Sequence, residues 1–182
     1  MSLGNLLQPD LILGSSVLSL TPDILEQHHL EALVLDVDET LVPINESQAS
    51  AELRDWVLAV KPSVDLWLVS NNISQTRIRR IAESLEVPYI SGALKPSRRK
   101  LRQAVTAIDS PVGRIAMVGD RLLTDVLAGN RLGMFTILVE PILNPAEVMQ
   151  KNPVRNFEVW LSQLFGVSLA PLQSGVIDSN NS

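Results

Sequence analysis

From residue 32 onward, short apolar runs alternate with polar turns and with segments in which apolar residues recur at helical spacing. The runs at 32–35, 66–69, 87–90, 115–118 and 135–139 have strand length, and all but 87–90 are nearly continuous in apolar residues. Strands covered by helices on both faces of a parallel sheet show this pattern, whereas strands with one wet face alternate. Helical period places helices near 48–60, 74–86, 96–108 and 124–132. Ser47, Ser74 and Thr124 stand where N-caps belong, Pro96 suits a first helical position, and Gly133 suits the end of the last helix.

This alternation predicts an α/β domain, doubly wound around a mostly parallel sheet, with its ligand at the carboxyl ends of the strands. Residues 31–166 read as that domain, residues 1–30 as an apolar lead segment packing on it, and residues 167–182 as a disordered tail. The lead carries Leu6, Leu7, Leu11, Ile12, Leu13, Val17, Leu18, Leu20, Ile24 and Leu25 but is broken by Pro9, Gly14 and Pro22. Within 141–165 the pattern predicts a short helix and an amphipathic one bearing Phe157, Trp160, Leu161 and Leu164. Trp56, Trp67 and Trp160 fall in periodic apolar segments and read as core, and His28 and His29 read as linker residues before the first strand.

A chain of 182 residues fits one domain, and 46% hydrophobic with 19% charged residues excludes an intrinsically disordered protein. The absence of cysteine excludes disulfides, thiolate metal sites, iron–sulfur clusters and a cysteine nucleophile. No run of ~18 uncharged apolar residues is present. Residues 1–20 contain no Lys or Arg, so no basic n-region of a signal peptide is seen, and a cytoplasmic protein is expected.

The net charge of −5 is unevenly placed. Residues 1–60 hold ten acids against Arg54 alone, while 77–102 hold eight bases against Glu83 and Glu86. An acidic total argues against nucleic-acid binding, yet a local basic region attracts anionic ligands. Lys95, Arg98, Arg99 and Arg102 follow i, i+3, i+4, i+7 spacing at the start of the predicted 96–108 helix, where the helix dipole disfavours cations. A basic face in that place is expected to gather an anionic substrate or to meet an anionic membrane surface peripherally.

The residues just past the strand ends carry the chemistry: Asp36-Val-Asp38-Glu-Thr40, then Ser70-Asn71-Asn72, then Lys95, then Gly119-Asp120 and Thr124-Asp125. The fold predicts that all of them converge on one rim of the sheet. Each residue alone has an ordinary explanation as a turn, a cap or a solvated surface group. An EF-hand loop is excluded because Leu41 stands where glycine is needed. Two histidines cannot make a three-histidine metal site, and no GxSxG motif supports a serine hydrolase. Together, four carboxylates, a hydroxyl and an ammonium suit phosphoryl transfer assisted by a hard divalent cation. One carboxylate can attack phosphorus while a second, two residues along an extended chain, protonates the leaving oxygen.

The order DxDxT, Ser, Lys, GDxxxTD resembles that of the haloacid dehalogenase-type phosphatases across residues 32–139. The resemblance implies Asp36 as nucleophile and Mg²⁺ ligand and Asp38 as general acid and base whose backbone carbonyl also meets the metal. It further implies Asp120 and Asp125 as metal ligands, and Thr40, Ser70, Asn71 and Lys95 around the substrate phosphate, with Arg98, Arg99 and Arg102 as an anionic-substrate patch.

With the lead segment, LVLDVDETLVP and VGDRLLTDVLAGNRLGMFTILVEPI resemble the YqeG-like branch of that superfamily, related to the phosphatidylglycerophosphate phosphatases. That likeness implies conversion of phosphatidylglycerophosphate to phosphatidylglycerol; members often have Asn where this chain has Glu39. The gaps Asp36–Ser70, Ser70–Lys95 and Lys95–Asp120 each accommodate about one strand–helix unit, so no cap domain and an open site are expected. A soluble nucleotide or sugar phosphate phosphatase, and a non-catalytic assembly factor on the same fold, are the alternatives.

Overall fold

The computed structural model describes residues 3–72 and 74–142. Strands β1 (Leu11–Ile12), β2 (Ala32–Leu35), β3 (Asp65–Val69), β4 (Tyr89–Ile90), β5 (Ile115–Gly119) and β6 (Phe135–Leu138) form one six-stranded sheet in the order β1-β6-β5-β2-β3-β4. All pairings are parallel. The chain moves outward from β2 to β4 along one half of the sheet, then returns to β5 on the other side of β2 and continues outward to β6. Adjacent strands whose connections depart in opposite directions leave a crevice between their carboxyl ends. Asp36 leaves β2 and Asp120 leaves β5, so both acids stand at that switch point.

The helices are α1 (Leu3–Leu7), α2 (Pro22–Gln27), α3 (Ala51–Val60), α4 (Gln75–Leu85), α5 (Arg98–Ala107) and α6 (Leu127–Asn130). Side chains of β2 point alternately to two apolar cores. Leu33 and Leu35 pack with Leu53, Trp56 and Val57 of α3 and with Ile78 and Ile81 of α4, while Ala32 and Val34 pack with Leu101 and Ala104 of α5 and Ala128 of α6. This two-sided burial is why β2 reads as a continuous apolar run. Each fully buried Leu contributes about 1.5–3 kcal/mol relative to exposure. The strand that delivers Asp36 is therefore among the most firmly held parts of the fold.

Several boundaries differ from the sequence expectations. The cap of α3 is Ser50, whose hydroxyl accepts from Leu53 N at 3.1 Å, and not Ser47. Ser74 precedes α4 without a side-chain cap bond. Pro96 does not open α5, which begins at Arg98 after Ser97. Lys95 therefore lies before the helix and does not share its face with Arg98, Arg99 and Arg102. Thr124 is no N-cap: it sits inside a π-helical turn, Leu122–Val126, that runs into α6. Gly133, at φ +77, turns the chain after α6 toward β6.

The lead segment contributes an edge strand, with Leu11 opposite Ile137 and Ile12 opposite Leu138. Asp10 fixes it in place: its carboxylate accepts from Thr136 N at 2.8 Å and Thr136 Oγ1 at 2.9 Å. Asn130 Nδ2 donates to the carbonyls of Leu6 and Gln8, and Trp56 Nε1 donates to Leu20 O, each at 2.9 Å. His28 is more than a linker, since its ring lies 5.1 Å from that of Phe135. Trp67 is half-buried against the second core. Of the segment 141–165 predicted to hold two helices, residues 143–165 lie outside the described residues, as do Trp160 and the tail. Among the described residues no helix is long and apolar enough to cross a membrane.

Candidate active site

At the carboxyl ends of β2, β3 and β5 lies a cleft of about 260 Å³, lined by Asp36, Asp38, Ile44, Asn71, Asn72, Lys95, Arg121 and Thr124. Among the described residues nothing covers it as a separate cap. At its floor, carboxylate oxygens of Asp36, Asp120 and Asp125 lie within 4.8 Å of one another. The Lys95 ammonium, 1% exposed, sits 2.6 Å from Asp36 Oδ1 and 2.6 Å from Asp125 Oδ1. It also donates to Val69 O at 3.3 Å. Asn71 holds the lysine from behind: its Oδ1 accepts from Lys95 N at 2.7 Å and its Nδ2 donates to Lys95 O at 3.2 Å.

Crowding of like charges away from water raises carboxyl pKa values. Burial pushes the Asp36 carboxyl up to about 7, helped by the charges of Asp125 and Asp38 and opposed by the Lys95 ammonium. Burial pushes Asp120 up to about 8, helped by Asp125, Asp36 and Glu39 and opposed by Arg121. Burial works against the charge on Lys95, but Asp125 and Asp36 outweigh it and hold the ammonium above the ordinary lysine value.

The remaining acids are each neutralised. Asp38 accepts from Ser70 Oγ at 2.8 Å through Oδ2 and from Arg77 Nη1 at 2.5 Å through Oδ1. Glu39, in the left-handed region at φ +64, pairs with Arg121 Nη2 at 2.9 Å. Once all three are ionised, three carboxylates against one ammonium leave two uncompensated negative charges in the cluster. Asp125 Oδ1 is buried against the Lys95 ammonium at 2.6 Å. A buried all-oxygen cluster in which three carboxylates share one ammonium fits a hard divalent cation. Asp36, Asp120 and Asp125 would hold it.

Not every expected phosphate contact faces the cleft. Thr40 is fully buried, and its hydroxyl donates to Asp120 Oδ1 at 3.1 Å, which steadies that carboxylate. Ser70 is equally buried; its hydroxyl is shared between Asp38 and Asn72 N. Asn71 is occupied with Lys95, and the side chain of Asp38 stands apart from the three-acid cluster. Arg98, Arg99 and Arg102 are exposed along α5, and Arg98 Nη1 donates to Arg131 O at 3.1 Å. Sequence reasoning did not single out Arg77 or Arg121 for the site. Arg77 is one of several basic residues on α4, and nothing in its spacing separates it from Arg79 and Arg80.

A family described as HAD-hyrolase-like matches residues 93–157. The chain is 34% identical over 128 residues to the probable phosphatase YqeG of Bacillus subtilis (strain 168), a match covering 70% of this chain and 74% of that protein. It is 33% identical over 96 residues to the chloroplastic phosphatidylglycerophosphate phosphatase 1 of Chlamydomonas reinhardtii, covering 48% of this chain and 36% of that one. Against the chloroplastic/mitochondrial phosphatidylglycerophosphate phosphatase 1 of Arabidopsis thaliana the identity is 26% over 155 residues, covering 76% and 42%. The chain therefore spans less than half the length of these algal and plant relatives. With its parallel Rossmann-like sheet and acids at the switch point, the chain belongs to the YqeG-like group of the haloacid dehalogenase-type phosphatases.

Proposed function

We propose that this phosphatase is Mg²⁺-dependent, works through an aspartyl-phosphate on Asp36, and dephosphorylates phosphatidylglycerophosphate to phosphatidylglycerol. The observation that carries the metal and the chemistry is the cluster of Asp36, Asp120 and Asp125 braced by Lys95 at the floor of an open cleft. The lipid assignment is supported by the likeness to two phosphatidylglycerophosphate phosphatases and by the absence of a cap among the described residues. An uncovered cleft accepts a headgroup still anchored in a bilayer.

In the first step an Asp36 carboxylate oxygen attacks phosphorus, the bond from phosphorus to the headgroup oxygen breaks, and Asp38 gives its proton to that oxygen. In the second step water attacks the aspartyl-phosphate, Asp38 takes the water proton, and the bond from phosphorus to Asp36 breaks. Bound Mg²⁺ supplies positive charge to the phosphoryl oxygens. Lys95 keeps Asp36 oriented and offsets its charge, while Thr40 and the main chain at Arg121 fix Asp120 and Asp125. Ser70 orients Asp38.

Arg98, Arg99 and Arg102 on α5, next in the chain to Lys95, would meet an anionic bilayer peripherally. Ile44, 44% exposed, lines the cleft with apolar surface, and Leu94, 68% exposed, directly precedes Lys95.

The test is phosphate release by purified protein from phosphatidylglycerophosphate vesicles and from soluble phosphomonoesters, with Mg²⁺ or EDTA and with Asp36→Asn as control. Metal-dependent release from the vesicles is expected. Release only from soluble esters would overturn the lipid assignment. No release from any substrate would point to a non-catalytic assembly role.

A further inference from the structure

The geometry points to Arg77 as a positioning residue: it holds Asp38 and the adjoining loop so that the carboxyl meets the leaving-group oxygen of an alkyl phosphate. This inference rests on the proposed general acid role of Asp38. Arg77 lies in the first turn of α4, and its guanidinium spans three acceptors. Nη1 meets Asp38 Oδ1 at 2.5 Å, Nη2 donates to Pro43 O at 3.0 Å and Nε donates to Glu46 O at 2.6 Å. Its side chain is 12% exposed, so the fork is largely shielded from competing water.

These bonds tie together α4, the second aspartate of the motif and the loop leading to α3. That loop carries Ile44, which lines the cleft. Ser70 fixes only Oδ2 of Asp38; without Arg77, Oδ1 would be free and the carboxyl could rotate about its remaining bond. A planar guanidinium with donors in a fixed fork suits this task, and lysine cannot bond all three acceptors at once with the same geometry. Arg79 and Arg80 make no comparable contact with the cleft: Arg79 pairs with Glu83 on the helix surface, and both are exposed.

A positioned acid matters in proportion to how badly the leaving oxygen needs a proton. An alkoxide from an alkyl phosphate must be protonated as it departs, whereas p-nitrophenolate departs unaided. Loss of Arg77 therefore strikes the two substrate classes unequally, which a general weakening of the fold does not do. A misplacement of about 1 Å can cost 10²-fold in rate.

The test compares wild type, Arg77→Met and Arg77→Lys by kcat/KM, which reports the step in which the leaving group departs. The substrates are glycerol 1-phosphate and p-nitrophenyl phosphate with Mg²⁺. For Arg77→Met the alkyl ester is expected to fall by about 10²-fold and the aryl ester by much less. Arg77→Lys should show the same split at smaller size. The Mg²⁺-induced shift in melting temperature should match wild type, because the three-acid cluster does not include Arg77.

Amide hydrogen exchange should accelerate at 44–48 and stay unchanged in the strands. Equal loss on both substrates, or no loss on either, would overturn the assignment. If wild type releases phosphate neither from these esters nor from phosphatidylglycerophosphate vesicles, the phosphatase mechanism itself fails. Unchanged exchange at 44–48 would separately remove the clamp.

Discussion

A Cβ placed on Gly119 would lie 2.2 Å from Asp125 Oδ2 and 2.3 Å from its carboxyl carbon. The last residue of β5 must therefore be glycine for the Asp125 carboxylate to fold back over the strand end. There it accepts from Arg121 N at 3.2 Å and faces Lys95. The cleft floor depends on a missing side chain as much as on those present.

Gly119→Ala is expected to push Asp125 out of the cluster. Overpacking of this kind costs about 1–3 kcal/mol, and loss of a supporting group near a metal costs about 10–100-fold in affinity. Calorimetric Mg²⁺ titration and thermal melts would measure both. Wild-type metal affinity in Gly119→Ala would show that Asp125 does not take part.

Metal-free protein should become more stable as pH falls from about 8 toward 4. Asp36 and Asp120 have folded pKa values of about 7 and about 8, above their unfolded value of 3.8. Between those limits the folded state binds more protons than the unfolded chain, so stability decreases as pH rises. Saturating Mg²⁺ should flatten this slope, since the cation stabilises the ionised carboxylates and displaces their protons. Urea unfolding across that range, with Mg²⁺ or EDTA, reads it directly; a metal-free protein that gains stability with rising pH would refute the crowding of these acids.

Lys95→Met should be among the most damaging single substitutions in the site. Removing the ammonium leaves Asp36 and Asp125 facing each other without their shared partner, and breaking a buried ion pair costs about 3–5 kcal/mol. Added Mg²⁺ should recover part of the loss by supplying positive charge. Denaturant midpoints with and without the cation check this.

Charge reversal of Arg98 and Arg99 to Glu should leave turnover of p-nitrophenyl phosphate near wild type and weaken binding to anionic vesicles. Basic residues near an anionic bilayer contribute about 1 kcal/mol each, so reversing two predicts a loss of more than tenfold. Co-sedimentation with phosphatidylglycerol vesicles at low and high salt measures it, and unaltered sedimentation would remove the membrane role of α5.

The primary structure alone determined the doubly wound class and the places where chemistry could lie. Strands β2, β3, β5 and β6 are legible because both faces are buried, and this forces continuous apolar runs whose ends place Asp36, Ser70 and Asp120. Strand β1 is not legible, because two residues carry no periodicity and become a strand only when Asp10 bonds Thr136. The cap at Ser50 in place of Ser47, and the π turn that absorbs Thr124, were settled by how the connecting loops close over the packed sheet. Tertiary structure also decided which side chains face each other. Thr40 turned toward Asp120, Lys95 descended between two carboxylates, and Arg77 reached across 39 positions to Asp38. Hydrophobic period is local and survives in one dimension, whereas the pairing of charges depends on distances that exist only after the sheet has brought its strand ends together.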